Sequence, residues 1–283
     1  MWNEPNLTRF WTGTPEEFYE LTQKAAAAIR EADSGAVIVG GAFNTLASEG
    51  WIRGLFDAGA MGEVDAVSYH PYSFSALSST AIFARFKTLV SDYQFDNKIW
   101  VTEVGFPTGG DYLSKVPEEK MPEEVVKAIV SLAVGGARHM FWYQLFDPAE
   151  RNPGDSEDYF GLVNHDYSYK QGADAYALCG RYIPGTTYRP ALPEHSGNPG
   201  SIQSFYFEGG EENTLVIWRD GGESEPIGAR ITLPGTGRQR HDPVTGKSEP
   251  IDGETTSISL GAIPHMYTWE NRDRTNPPRL SVP

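Results

Sequence analysis

The sequence predicts an α/β chain in two parts, a parallel sheet with helices of the (β/α) barrel kind followed by a small all-β sandwich. Three observations carry this. From residue 14 to about 182, apolar or β-branched runs alternate with helix-patterned stretches. The connections between them are short, as in repeated strand–helix–strand units. After Ile183-Pro184-Gly185 the pattern changes to short β-rich runs separated by turn clusters.

Thr14-Pro15-Glu16-Glu17 is a capping box with proline at the first helical position, and Phe18, Leu21, Ala25, Ala28 and Ile29 follow at helical spacing. That helix ends near Asp33-Ser34-Gly35, and residues 36–39 read as a buried strand stopped by Gly40-Gly41. The unit then recurs. A helix over 48–60 leads to a strand over 64–69, a helix over 79–93 to a strand over 99–102, and a helix over 122–135 to a strand over 140–143. A last helix over 170–182 closes the series.

Beyond it, turn clusters at 197–200, 208–213, 220–222 and 235–237 separate β-rich runs at 204–207, 214–218, 229–233 and 266–269. The domain expectation is therefore a barrel part over 1–185, a sandwich over 186–272, and a loose polar, proline-rich tail over 273–283.

Composition narrows the function. At 39% hydrophobic and 12% aromatic residues the chain is rich enough in core formers to exclude a disordered protein. A net charge of −15 without a basic stripe opposes nucleic acid and anionic membrane partners. No apolar run reaches the roughly 18 residues of a membrane span. The single cysteine, Cys179, excludes an internal disulfide. The six histidines form no spaced ligand set, and no glycine-rich phosphate loop matches, so neither a metal nor a cofactor is expected.

The residues that carry chemistry are two glutamates. Glu4 lies in Trp2-Asn3-Glu4-Pro5-Asn6, where an apolar neighbour raises a carboxyl pKa and an amide orients substrate, as a general acid requires. Glu103 ends the run Ile99-Trp100-Val101-Thr102, the place where a barrel strand displays a nucleophile. A surface glutamate and a turn-stabilising one are the competing explanations. Tyr69-His70-Pro71-Tyr72 ends the preceding strand and places an imidazole and a phenol beside Glu103 as hydrogen-bond donors. Trp142, in Phe141-Trp142-Tyr143, offers an indole face to a sugar, against the commoner reading of a core aromatic. Asp147, Asp155, Glu157 and Asp158 read as solvated charges near a cleft rim.

These motifs resemble those of clan A retaining glycoside hydrolases, families 39 and 5 in particular. Trp2-Asn3-Glu4-Pro5 is similar to the motif ending the fourth barrel strand, His70-Pro71-Tyr72 to that of the sixth, Thr102-Glu103-Val104-Gly105 to the nucleophile motif of the seventh, and Trp142 to the eighth-strand platform. The sandwich after the barrel is similar to the family 39 arrangement. Glu4 and Glu103 stand 99 residues apart, room for three strand–helix units of about 30 residues each.

The resemblance implies hydrolysis of β-linked sugars by double displacement, with Glu4 as acid/base, Glu103 as nucleophile, and Asn3, His70, Tyr72 and Trp142 binding substrate. It also implies a partial (β/α)8 barrel, about strands five to eight plus the end of strand four. The open edge is then expected to be covered by a second copy in a homodimer or by a missing N-terminal segment. Two other readings stand beside it: a non-catalytic carbohydrate-binding or assembly protein, and a sandwich acting alone as a sugar-binding module. In a retaining enzyme the two carboxyl groups lie about 5 to 5.5 Å apart.

Overall fold

The computed structural model describes residues 2–44, 48–111, 115–189, 202–210, 212–220, 226–270 and 277–282. The turn cluster expected at 197–200, residues 221–222 of the one expected at 220–222, and part of the tail lie outside the described residues.

The first half alternates as expected: α1 (Pro15–Ala32), β1 (Val39–Asn44), α2 (Glu49–Asp57), β2 (Ala66–His70), α3 (Ala76–Ser91), β3 (Ile99–Val104), α4 (Met121–Gly135), β4 (His139–Trp142) and α5 (Gly172–Tyr182). The four strands form one parallel sheet in the order β1-β2-β3-β4. The Thr14 capping box is present in both directions, fixing the start of α1. A second box, Ser75 with Ser78, starts α3 three residues earlier than expected. Serine in place of glutamate at the third helical position hides this box from the usual motif.

β1 departs most from expectation. It begins where the sequence placed its end and runs through Gly40-Gly41 to Asn44. The glycines permit a bulge: the register against β2 shifts between Gly40 and Phe43, Gly41 has φ +92°, and a Cβ on Gly40 would lie 2.6 Å from Val64. Similarly, β3 extends beyond residue 102 to Val104 and so contains Glu103.

Among the described residues the second half holds two antiparallel sheets. One has the order β10 (Ser248–Pro250), β9 (Thr236–His241), β12 (His265–Glu270), β7 (Asn213–Arg219), β6 (Ile202–Glu208), β5 (Thr187–Arg189). The other has β11 (Thr255–Leu260), β8 (Ile227–Thr232) and β13 (Arg279–Ser281). The expected loose tail is thus corrected over 279–281, which pairs with β8 and buries Leu280 in the core.

β7 explains how the halves join. Its residues are buried on both faces, so it lacks the usual alternation of a half-exposed strand. Val216 and Trp218 join a cluster with Val125, Ile129 and Leu178 of α4 and α5, while Leu215 and Ile217 pack with Ile231, Leu260 and Trp269. A third cluster, under β1 to β3, includes Phe43, Val67, Phe83, Phe86 and Ile99. No helix among the described residues is long and apolar enough to cross a membrane. Truncating Leu215, fully buried at the centre of β7, to alanine should cost about 2–5 kcal/mol, read as a lower urea midpoint with an unchanged slope.

Candidate active site

The site lies at the carboxyl ends of the parallel strands. Glu4 comes from the loop ahead of α1, where its backbone N–H donates to Ala42 O of β1 at 3.0 Å. Its φ is +43°, a left-handed conformation that costs a non-glycine residue of order 1 kcal/mol or more. Asn6 holds it there. The Asn6 amide donates to Asn44 O at 2.7 Å and to Ser48 Oγ at 2.9 Å, and accepts from Asn44 N–H at 3.1 Å. The loop is thereby fastened to the end of β1.

The Glu4 carboxylate is buried, at 2% exposure. Asn44 Nδ2 donates to its Oε1 at 2.5 Å, His70 Nδ1 lies 3.0 Å from the same oxygen, and Arg9 Nη2 donates to Oε2 at 3.3 Å. Burial pushes this carboxyl up, but the bonds from His70, Asn44 and Arg9 outweigh it and hold the group below the usual carboxylate range. His70 is itself buried, and its Nε2 lies 2.9 Å from Thr102 Oγ1, which is in turn hydrogen-bonded to Ser68 Oγ.

Glu103 is more accessible, with a quarter of its side chain exposed. Tyr72 OH donates to its Oε2 at 2.8 Å, and His70 Nδ1 lies 3.6 Å from that oxygen. Burial, then the Glu103 charge, raises the Tyr72 phenol well above its ordinary value, so it stays a donor. One oxygen each of Glu4 and Glu103 and a ring nitrogen of His70 lie within 4.8 Å of one another. A cleft of about 540 Å³ opens over the pair, lined among others by Asn3, Arg9, Tyr72, Tyr143 and Glu157.

Five of the six residues singled out from sequence therefore meet: Asn3, Glu4, His70, Tyr72 and Glu103. Trp142 does not line this cleft. Strand residues alternate between faces, and Trp142 takes the outer one, edge-on to Phe106 at 5.8 Å and near Tyr176 at 6.3 Å. Its neighbour Tyr143 faces the cleft instead, with its hydroxyl on Glu157 at 3.0 Å. Sequence reasoning missed Asn44, Arg9 and Phe10. A polar residue ending a strand was the available signal for Asn44; nothing local marks Arg9.

The loop after β4 forms the facing wall, and its acidic residues are not all solvated. Asp147 is buried, paired with Lys170 at 2.7 Å and Arg151 at 2.9 Å, and accepts the Gly161 N–H at 2.6 Å. This anchor fixes the stretch that presents Glu157 and Phe160 to the cleft. Gly105 supplies the other constraint, since a Cβ there would stand 1.9 Å from Tyr143 O.

Residues 1–99 match the family model of Glycosyl hydrolases family 39. A β-xylosidase of Caldicellulosiruptor saccharolyticus is 39% identical over 84 residues, covering 29% of this chain and 17% of that protein. A family 39 glycoside hydrolase from the gut symbiont Bacteroides cellulosilyticus WH2 superposes with a TM-score of 0.72 at 18% identity, over 95% of this chain and 57% of that one. A glycoside hydrolase family 30 subfamily 8 xylanase from Clostridium acetobutylicum gives 0.58 at 13% identity, over 94% and 64%. The chain is thus family 39-like in sequence over its first third and shares its fold with larger glycoside hydrolases, of which it spans only part.

Two changes test this construction. Asp147→Ala strands the buried cation of Lys170 and removes the partner of the part-exposed Arg151, and should cost about 3–5 kcal/mol, measured by denaturant unfolding. Gly105→Ala should force the end of β3 and the Tyr143 backbone apart, seen as a marked loss of melting temperature.

Proposed function

We propose that this chain carries the acid/base and nucleophile of a retaining glycoside hydrolase acting on β-linked sugars. The observation that carries the reading is the pair itself: two carboxylates with oxygens within 4.8 Å, in differing environments, at the floor of one cleft. That spacing suits attack by one carboxylate and protonation by the other, and leaves too little room for the water an inverting enzyme places between them. The family 39 match over residues 1–99, which takes in Glu4, His70 and Tyr72 and stops short of Glu103, supports the Glu4 half of the reading, and the β-xylosidase relative makes β-xylosides the first substrates to test.

In this reading Glu103 attacks the anomeric carbon, with Tyr72 holding its oxygen in line, while Glu4 gives a proton to the leaving oxygen. Glu4 then takes a proton from water as the glycosyl–enzyme ester is opened. Asn44 and His70 keep the Glu4 carboxylate fixed between the two steps. Asn3 and Tyr143 line the cleft as sugar-contacting residues.

The four-stranded sheet corresponds in this proposal to the later strands of a (β/α)8 barrel, and the two antiparallel sheets to a sandwich, with the division near residue 185. A groove of about 740 Å³ lined by Met140, Trp142, Tyr176, Cys179 and Ile183, and Phe141 at 49% exposure, mark the β4 side as a surface to be covered. Further barrel strands or a second copy would cover it; sedimentation of the chain at rising concentration separates these, a monomer throughout excluding the second copy.

Glu103→Ala should abolish turnover of aryl β-xylosides and other aryl β-glycosides. Glu4→Ala should slow substrates with poor leaving groups by about 10²–10⁴-fold, spare activated aryl glycosides in the first step, and be accelerated by azide with formation of the β-glycosyl azide. Equal, negligible rates for wild type and Glu103→Ala, with sugar binding retained, would instead establish a carbohydrate-binding protein.

A further inference from the structure

We propose that Glu4, His70 and Glu103 also form a binding site for a divalent cation of the zinc class, which ties the two carboxylates together and switches the site off. The site stands on geometry alone; the inhibitory effect rests on the hydrolase reading above. Spacing in sequence conceals it, because the three ligands come from separate segments at positions 4, 70 and 103.

Ligand atoms bound to zinc at about 2.1 Å and tetrahedral angles stand about 3.4 Å from each other. His70 Nδ1 is 3.0 Å from Glu4 Oε1 and 3.6 Å from Glu103 Oε2, on either side of that value. The remaining edge, between the two carboxylates, is within 4.8 Å. Glu103, partly exposed and held by one tyrosine bond, is the side chain free to close it.

The surroundings suit such an ion. The far ring nitrogen of His70 is 2.9 Å from Thr102 Oγ1, the kind of outer contact that orients a ligating histidine. Coordination through Nδ1 requires the ring proton on Nε2, donated to Thr102. The Thr102–Ser68 hydroxyl pair, in which either oxygen can donate, permits that reversal. Two carboxylates balance the dication, while Arg9 stays on the other oxygen of Glu4. One nitrogen and two oxygens favour zinc over magnesium or calcium, which demand more oxygen ligands. The fourth position faces the cleft, where water or a substrate hydroxyl completes the shell.

The test uses the full chain and metals alone. Titration with Co2+ should give the intense visible absorption of a four-coordinate ion, displaced by Zn2+ and unaffected by Mg2+. Calorimetry with Zn2+ should show one site, weakened about tenfold or more in Glu103→Gln and in His70→Gln; the partly exposed Glu103 makes the first variant the safer folder. Zn2+ should inhibit aryl β-glycoside hydrolysis competitively, with chelator reversing it. A Co2+ spectrum like that of the hydrated ion, or zinc affinity unchanged in Glu103→Gln, overturns the site. Binding without inhibition of an active chain overturns the switch. A chain that binds Co2+ as described but hydrolyses nothing upholds the site and removes the hydrolase reading instead.

Discussion

Two carboxylates facing one cleft with oxygens no more than 4.8 Å apart repel each other by about 3 kcal/mol or more at an effective dielectric constant near 20. In a chain of net charge −15, no general excess of cations relieves this. Relief is local: Asn44, His70 and Arg9 donate to Glu4, and Tyr72 donates to Glu103. Hydrogen bonds to charged groups contribute about 1.5–3 kcal/mol each, so this set is enough to offset the repulsion. Everything else in the first half of the chain can be understood as placing those donors.

The placement is a matter of register. Asn44 and His70 are directly paired residues of β1 and β2, so both donors reach the same Glu4 oxygen from adjacent strand ends. A slip of one residue would turn Asn44 to the other face. The bulge at Gly40 to Phe43 sets that phase, and the Phe43 ring it directs outward is buried among Phe56 and Phe86. Packing beneath the sheet and hydrogen bonding above it are thus fixed by the same two glycines.

The same dependence explains what could be read in the sequence. Glu4, His70, Tyr72 and Glu103 were legible because chemistry-bearing residues at the ends of apolar runs arrive together whenever the strands are parallel. Trp142 was misassigned because an indole attracts attention as a sugar platform, whereas the strand's period of two decides which of Trp142 and Tyr143 faces the cleft. Gly40-Gly41 looked like a stop because a bulge and a turn use the same residues. Leu280 was lost to a polar, proline-rich context, although one buried leucine and pairing to β8 are enough to order Arg279–Ser281. Asp147 shows the limit most clearly: its partners Arg151 and Lys170 lie in a loop whose path depends on contacts far away in sequence.

The donors around Glu4 also differ in how easily they are given up. His70 is buried and Asn44 is fastened through Asn6, so their bonds to the carboxylate persist with the fold. Arg9 is two-thirds exposed, and its guanidinium rests over the Phe10 ring at 4.5 Å while it bonds Glu4. Among the bonds that lower the Glu4 carboxyl, that of Arg9 counts for less than those of His70 and Asn44, so a leaving group entering beside Glu4 displaces Arg9 more readily than either of them. Without Arg9 the carboxyl loses one of the bonds that hold its pKa down, while burial continues to push it up. Under the proposed roles, occupation of the cleft thus moves Glu4 toward the protonated form needed to expel the leaving group, and release of that group lets Arg9 return as Glu4 becomes the base.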